Sequence, residues 1–273
     1  MVLAGAVLPG CKTLALVACV ALCLYGAGLI LNDLHDRKRD ALRRPERPLA
    51  SGQISVRAAT TVMLVLTVVA LLLALAMGRD CFCTAVVLAA AIAAYNLLLK
   101  DLTVPGALAM GACRGFSVLL AVPLAHWYGL PLLLAGTITL YVCGLTLISR
   151  GEDHQLRYGL TVWLPAAAIA CGGTALLWGG WDAVRQVHPA WLAVAAVCAG
   201  LALAVATRLA GELSGHEAEP TAARRAVGLL IRQLPVLQCA VLVLVPGTAW
   251  LGVTILLLAW CLARPLARRF SGA

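Results

Sequence analysis

Charge is what this chain of 273 residues has least of: 12% of its residues are charged, where an ordinary soluble domain carries about a quarter. Only twelve are carboxylates. That scarcity excludes a soluble globular protein. Aromatic residues are also few, at 5%, and only Tyr95 and Tyr141 are expected in the halves of spans where the polar groups gather. There is no low-complexity segment and no polar stretch long enough to fold as a soluble domain. The N-terminus has no basic region ahead of its apolar residues, so a signal peptide is not expected, and residues 1–9 are too few to cross a bilayer.

What remains is apolar. Hydrophobic residues make up 62% of the chain, in runs near 20 residues separated by short polar loops. That pattern specifies a polytopic membrane protein built from helices, because a spanning segment must satisfy its backbone hydrogen bonds internally. Full spans are expected at about 11–31, 56–78, 82–99, 104–124, 129–148, 159–180, 190–210, 226–245 and 247–264. The fold class is therefore all-α, a helical bundle of about nine spans after a short N-terminal apolar segment. Residues 1–273 form a single integral-membrane domain on this reading.

The formal net charge of +9 does not point to nucleic acid, because the basic residues alternate from loop to loop. Each span is taken to cross once, with the loop after the first span in the cytoplasm. That side then holds Arg37, Lys38, Arg39, Arg43, Arg44, Arg47, Arg57, Lys100, Arg150, Arg157, Arg208, Arg224, Arg225, Arg264, Arg268 and Arg269. The opposite side holds Lys12, Arg79 and Arg185. Sixteen against three fixes the orientation by the positive-inside rule, in a multi-pass protein of the cell membrane. The eleven cysteines read as small apolar packing residues, and Cys81 and Cys83 are too close in sequence for an ordinary disulfide. The polar connection 211–225, with Glu212, His216, Glu217 and Glu219, reads as a solvated loop.

The carboxylates are concentrated where the first span meets the cytoplasm, in Asn32-Asp33-Leu34-His35-Asp36-Arg37-Lys38-Arg39-Asp40. If the helix continues, Asn32, Asp33, Asp36 and Asp40 share an arc of roughly 100°. Three carboxylates and an amide so placed repel one another unless a cation lies between them. Hard divalent ions such as Mg²⁺ suit oxygen ligands and commonly accompany phosphates. A basic turn follows, Arg43-Arg44-Pro45-Glu46-Arg47-Pro48-Leu49-Ala50-Ser51-Gly52, ordered by its prolines and glycine. Its Arg43, Arg44 and Arg47 are suited to binding a diphosphate. Tyr95 and Lys100 end another span, and Lys100 can point at a phosphate or snorkel to lipid headgroups. Arg114 lies well inside a span, where a charge is costly and normally faces a wet cavity or a partner. Ser149-Arg150-Gly151-Glu152-Asp153-His154 ends a further span, and Glu152 and Asp153 are candidates for a second metal site.

Asn32 to Asp40 resembles N-D-x-x-D-x-x-x-D, the first acidic motif of the UbiA superfamily of intramembrane prenyltransferases, and Arg47 to Gly52 resembles the R-P-[LI]-x-S-G turn that follows it there. The resemblance implies a helical bundle around a lipid-accessible cavity and a Mg²⁺-dependent transfer of an isoprenyl group from its diphosphate to an aromatic or other lipophilic acceptor. It assigns the metal and diphosphate to Asn32, Asp33, Asp36 and Asp40, and adds Glu152 and Asp153 as metal ligands. Asp33, Asp36, Asp40 and Asp153 become the catalytic carboxylates, with Asn32, Arg43, Arg47, Tyr95, Lys100, Arg114 and Arg150 contacting substrate. The second motif of the family, D-x-x-x-D, stands here as Ser149 and Asp153 with Glu152 between them. T-L-I-S-R-G-E-D-H and P-G-A-L-A-M-G-A-C-R-G are similar to a UbiA-like subgroup, the EboC-like proteins, associated with processing or trafficking a prenylated small molecule. That makes a non-catalytic protein binding a prenylated lipid the alternative expectation. Val2 to Leu8 resembles the end of the family's first helix, so the reading frame is expected to begin late.

Overall fold

The computed structural model of the chain describes residues 11–120, 122, 124, 129–152, 156–179, 188–214, 217–242 and 254. Among them are eight α-helices. They are α1 (Cys11–Arg43), α2 (Val56–Met77), α3 (Arg79–Ala94), α4 (Thr103–Leu119), α5 (Leu130–Ser149), α6 (Leu164–Gly179), α7 (Pro189–Leu213) and α8 (Pro220–Leu242). Each answers to one expected span in order; the ninth, 247–264, and the N-terminal segment lie outside the described residues. Among the described residues, six helical stretches are long and apolar enough to cross a bilayer. Their apolar side chains are widely exposed, Leu22, Val62, Leu72, Leu140 and Val197 among them. A belt of that extent is stable only against lipid, and the chain is a membrane protein.

Two helix boundaries differ from the sequence expectation. Helix α1 does not stop at Leu31 but runs unbroken to Arg43, because no helix breaker intervenes before Arg44-Pro45. Pro45 lacks an N–H and disfavours helix at the residue before it. Asn32, Asp33 and Asp36 therefore stand within a helix, clear of the carbonyl end that would repel them, and Asp40 stands in its last turn. Helix α8 begins at Pro220 rather than near 226, with proline in the first turn, where its missing N–H costs nothing. The polar connection after α7 is correspondingly short.

The described chain forms two compact units, one extending to Thr139 and one starting at Leu140, with the passage inside α5. In the first unit α1, α2, α3 and α4 pack around Val20, Leu24, Ala70, Ala74, Ala85, Leu88 and Leu120. Alanine on facing helices permits close approach where hydrophobic driving force is weak. Gly78, at φ +128°, turns α2 directly into α3, a conformation that glycine adopts without a Cβ penalty. After α3 the helix widens into a π turn over Tyr95–Leu99, closed by the Lys100 N–H on the Tyr95 carbonyl at 2.9 Å.

In the second unit α6, α7 and α8 pack with the end of α5. The buried Tyr141 hydroxyl donates to the Leu230 carbonyl at 2.8 Å. Leu156 and Arg157 pair antiparallel with Ala218 and Glu217 in a two-residue ladder that joins the connections flanking α6 and α7.

Candidate functional site: an acidic helix face beside an apolar cavity

The basic turn between α1 and α2 is ordered by its own backbone. The N–H of Arg47 donates to Arg44 O at 3.1 Å, that of Ser51 to Arg47 O at 2.8 Å and that of Ile54 to Pro48 O at 3.0 Å. Gly52 has φ +79°, and the Ser55 hydroxyl caps α2 by accepting from the Ala58 N–H at 3.1 Å. This fold of the turn carries Arg47 back over the acidic face of α1. Its Nη1 lies 2.8 Å from Asp40 Oδ2 and 3.5 Å from Asp33 Oδ1.

A second cation arrives from the end of the π turn. Lys100 Nζ stands 2.5 Å from Asp36 Oδ1 and donates to Asn32 Oδ1 at 3.3 Å. The Lys100 side chain is only 8% exposed, and Asp36 and Asp40 are 17% and 13% exposed. In that sheltered setting the pairs are mutually dependent, since removing one partner strands the other's charge. Arg39 adds a looser outer layer, 3.2 Å from Asp101 and 3.9 Å from Asp36. Being exposed, it contributes little. Asn32, Asp33, Asp36, Asp40, Arg47 and Lys100 are thus brought together, while Arg43 is left exposed at the end of α1.

Gly106 explains how Lys100 reaches the cluster. A Cβ there would lie 2.5 Å from the Leu99 carbonyl oxygen and 3.2 Å from Lys100 Cα. Only glycine lets α4 approach the π turn this closely.

Beside the cluster, within the same unit, is a cavity of about 680 Å³. Its wall is mainly apolar, with Leu24, Leu88, Ile92 and Met110, and its polar members are Tyr25, Asn32, Tyr95, Asn96, Arg114 and Ser117. Asn32 belongs both to this wall and to the ion-paired cluster, so the two are contiguous. Arg114 does face this cavity, with its guanidinium carbon 5.2 Å from the centroid of the Tyr25 ring, a cation–π distance. Gly28 lets α1 close on α3 here, since a Cβ would lie 2.9 Å from Ile92 Cγ2. A smaller pocket of about 390 Å³ lies between α1 and the basic turn, lined by Asp33, Arg37, Asp40, Arg47 and Pro48 among others.

The donor set of the acidic face is all oxygen and suits a hard divalent ion. Among the described residues, however, no group of three carboxylate, thiol or imidazole ligands converges on a metal position. The reason is visible in the ion pairs. Lys100 and Arg47 supply the positive charge that the carboxylates require. Asn32, Asp33, Asp36 and Asp40 remain chemically fit to hold a metal once those cations have another anion to pair with.

The other motif lies in the second unit. Arg150, Gly151 and Glu152 form a single 3₁₀ turn after α5, and the Glu152 carbonyl accepts from Arg224 Nε at 3.0 Å. Asp153 and His154 lie outside the described residues. Ser149, at the position of the absent aspartate, donates its hydroxyl to the Thr146 carbonyl of its own helix at 2.8 Å. The Tyr158 hydroxyl donates to the Ile148 carbonyl at 2.6 Å and leaves no room for a Cβ at Gly151. Burial pushes the pKa of Tyr158 up; the neighbouring Glu152 carboxylate adds to this and the Gly151 backbone opposes it.

Sequence reasoning missed Tyr25, Asn96 and Asp101 as members of this region. Asn96 and Asp101 flank Lys100 in the polar end of a span, a signal that was available. Tyr25 is an unremarkable aromatic in a span, and nothing local marks it.

Comparison with known proteins places these features in context. Residues 1–211 match the UbiA prenyltransferase family. A digeranylgeranylglyceryl phosphate synthase of Methanothrix thermoacetophila is 34% identical over 119 residues, 44% of this chain and 45% of that protein. A 4-hydroxybenzoate octaprenyltransferase of an Enterobacter species is 34% identical over 113 residues, 38% of this chain and 39% of that one. The matches span less than half the length of these curated relatives. A solved structure concerned with digeranylgeranylglyceryl phosphate synthase in membranes superposes with a TM-score of 0.65, covering 87% of this chain and 86% of that one at 18% identity.

Proposed function

The chain belongs to the UbiA prenyltransferase family, and from that premise we propose that it transfers an isoprenyl group from a polyprenyl diphosphate to a small lipophilic or aromatic acceptor within the membrane. The observation that carries this reading is the acidic face of α1, ion-paired to Lys100 and Arg47 and contiguous through Asn32 with an apolar cavity. An isoprenyl diphosphate has the matching form, a highly charged head on an apolar tail. The family match runs through both units, which supports a single integral-membrane domain, and the alternation of basic loops supports a multi-pass protein of the cell membrane with these loops on the cytoplasmic side.

In this reading Asn32, Asp33, Asp36 and Asp40 hold Mg²⁺ together with the diphosphate, and Glu152 and Asp153 supply the second acidic motif. A bound divalent ion contributes neutralisation of the diphosphate and of the negative charge it gains on leaving. Lys100 and Arg47 exchange a carboxylate for a phosphate partner. The bond between the allylic carbon and the diphosphate oxygen breaks, with the electron pair leaving on the diphosphate. These fixed cations act where that charge develops, in a site of low dielectric. Tyr95 presents a ring to the allylic cation, while Arg114 takes an anionic or polar end of the acceptor. The acceptor's nucleophilic atom then bonds the allylic carbon and releases a proton.

Asp36→Asn tests this reading. It keeps the shape but removes the charge that Lys100 requires. Membranes carrying the variant, inserted at the normal level, are expected to form no labelled adduct from geranyl, farnesyl or geranylgeranyl diphosphate under conditions where the parent protein does. Undiminished product formation would overturn the assignment. A second reading, binding or trafficking of a prenylated lipid without catalysis, is favoured by Ser149, whose hydroxyl is turned back onto α5 where the family pattern has a carboxylate. No adduct from the parent protein with any donor, with or without Mg²⁺, would decide for it.

A further inference from the structure

Arg114 carries a full charge at a depth where charge is costly. Its guanidinium carbon is 5.2 Å from the centroid of the Tyr25 ring. At a helical rise of 1.5 Å per residue, Tyr25 stands about 20 Å from the start of α1 at Cys11 and about 10 Å short of Asn32. That level lies inside a hydrocarbon core about 30 Å thick, where an arginine normally faces a partner or a wet cavity.

Two observations place this side chain in the cavity. Along α4, Met110, Cys113, Arg114 and Ser117 recur at the spacing of one helix face, and all four line the cavity. Gly115 fixes that rotation of the helix, since a Cβ there would lie 3.0 Å from the Ala135 carbonyl oxygen and closer still to the Thr139 hydroxyl. Along α1, Tyr25, Gly28 and Asn32 form a ridge at the same periodicity, leading from the arginine to the ion-paired cluster. Arg114 is exposed there, and among the described residues no carboxylate pairs with it. The Tyr25 ring attracts the cation but has no formal charge to set against it, and it leaves the forked N–H donors of the guanidinium unused. An isoprenyl tail is pure hydrocarbon and supplies no anion, while the diphosphate is assigned to Lys100 and Arg47 about two helical turns away.

We infer that Arg114 is the specificity-determining residue for the prenyl acceptor, binding a carboxylate or phosphate group that the acceptor must carry, and that Tyr25 is the positioning residue holding the guanidinium at the cavity wall. The acceptor is thus an amphipathic anion, its charge met by paired N–H donors and its body by the apolar wall. A neutral isostere fills the same volume but leaves the arginine unpaired, and a site built to pair a ligand group discriminates strongly against analogues lacking it. The inference rests on the proposed prenyl transfer only in calling this ligand the acceptor; anion binding itself needs no turnover.

The full chain in phosphatidylcholine nanodiscs is titrated with para-butylbenzoate, para-butylphenyl phosphate and the neutral para-butylbenzamide, following ligand-dependent thermal stabilisation. Each preference for anion over amide is taken relative to Arg114→Gln, so that partitioning into lipid cancels. The parent protein is expected to prefer at least one of the two anions by about tenfold on that scale. Arg114→Lys, which keeps the charge without the fork, is expected to retain part of the preference. Tyr25→Phe is expected to keep it and Tyr25→Leu to weaken it, with affinity for the amide unchanged in both. Unliganded Arg114→Gln is expected to melt no lower than the parent protein, because it loses an unpaired charge; a structural arginine would lower it. For turnover, Arg114→Gln is expected to raise KM for the acceptor about tenfold while leaving KM for the diphosphate unchanged. Equal preference in the parent protein and Arg114→Gln overturns the inference. So does loss of the preference when phosphatidylglycerol replaces part of the lipid, which would make the bound anion a headgroup. If Asp36→Asn retains full transfer while the anion preference still depends on Arg114, the proposed site of transfer fails and the anion site stands.

Discussion

Lys100 and Arg47 do two jobs with one charge each. In the structure they neutralise a row of carboxylates on α1, and in the proposed reaction they pass to the diphosphate. The exchange requires pairs that are stable yet replaceable. Lys100 and Asp36 are sheltered enough that Lys100→Ala strands a carboxylate, at a cost of about 1–3 kcal/mol. A lower melting temperature in nanodiscs and a weaker affinity for the diphosphate donor are both expected. Arg47 contacts Asp33 and Asp40 through a single nitrogen; a guanidinium has further donors in a fixed fork that match a phosphate. Arg47→Lys keeps the charge but not the fork, so kcat/KM for the donor is expected to fall about tenfold while folding is unaffected. Steady-state kinetics varying donor at saturating acceptor would check this.

At the scale of elements, the π turn after α3 and the glycines packed against it decide where the cations stand. Gly106→Ala forces the α4 backbone away from Leu99 and Lys100. The expected loss is about 1–3 kcal/mol, as for other overpacked positions, with donor affinity weakened along with stability. In the second unit Gly151 and Tyr158 make a cleaner test, because the obstruction is one hydroxyl and the ring carbon bearing it. Gly151→Ala alone is expected to lower the melting temperature. Adding Tyr158→Phe to it removes the closer part of the obstruction, the hydroxyl, but also the bond to Ile148, so the double variant should be more stable than additivity of the two singles predicts. The acidic face of α1 was legible in the sequence because helical periodicity alone puts Asn32, Asp33, Asp36 and Asp40 on one arc. The π turn was not. It follows from the close packing of α4 on the end of α3, and no residue from Tyr95 to Leu99 announces an extra residue per turn.

At the scale of the molecule, the alternation of basic loops predicts sidedness, which ordinary biochemistry can read. A protease site inserted between Gly52 and Gln53 is expected to be cut in inside-out vesicles and protected in right-side-out ones. The insertion interrupts the Pro48–Ile54 backbone bond of the turn, so the inserted variant reports sidedness and not transfer activity. Cleavage only from the opposite side would reverse the orientation and remove the diphosphate site from the cytoplasm.

The sequence by itself determined that this is a helical membrane protein, how eight of its spans fall, and which residues of α1 share a face. Those properties depend on hydropathy and on the helical repeat, which act over neighbouring residues. Only the tertiary structure decided that Lys100 rather than Arg43 would join the acidic face, that Arg114 would lie over Tyr25, and that Asn96 would be buried within the π turn. Each of those depends on how closely two helices approach, and for Lys100 that distance is set by Gly106, whose contact with the Leu99 and Lys100 backbone no local sequence pattern reveals.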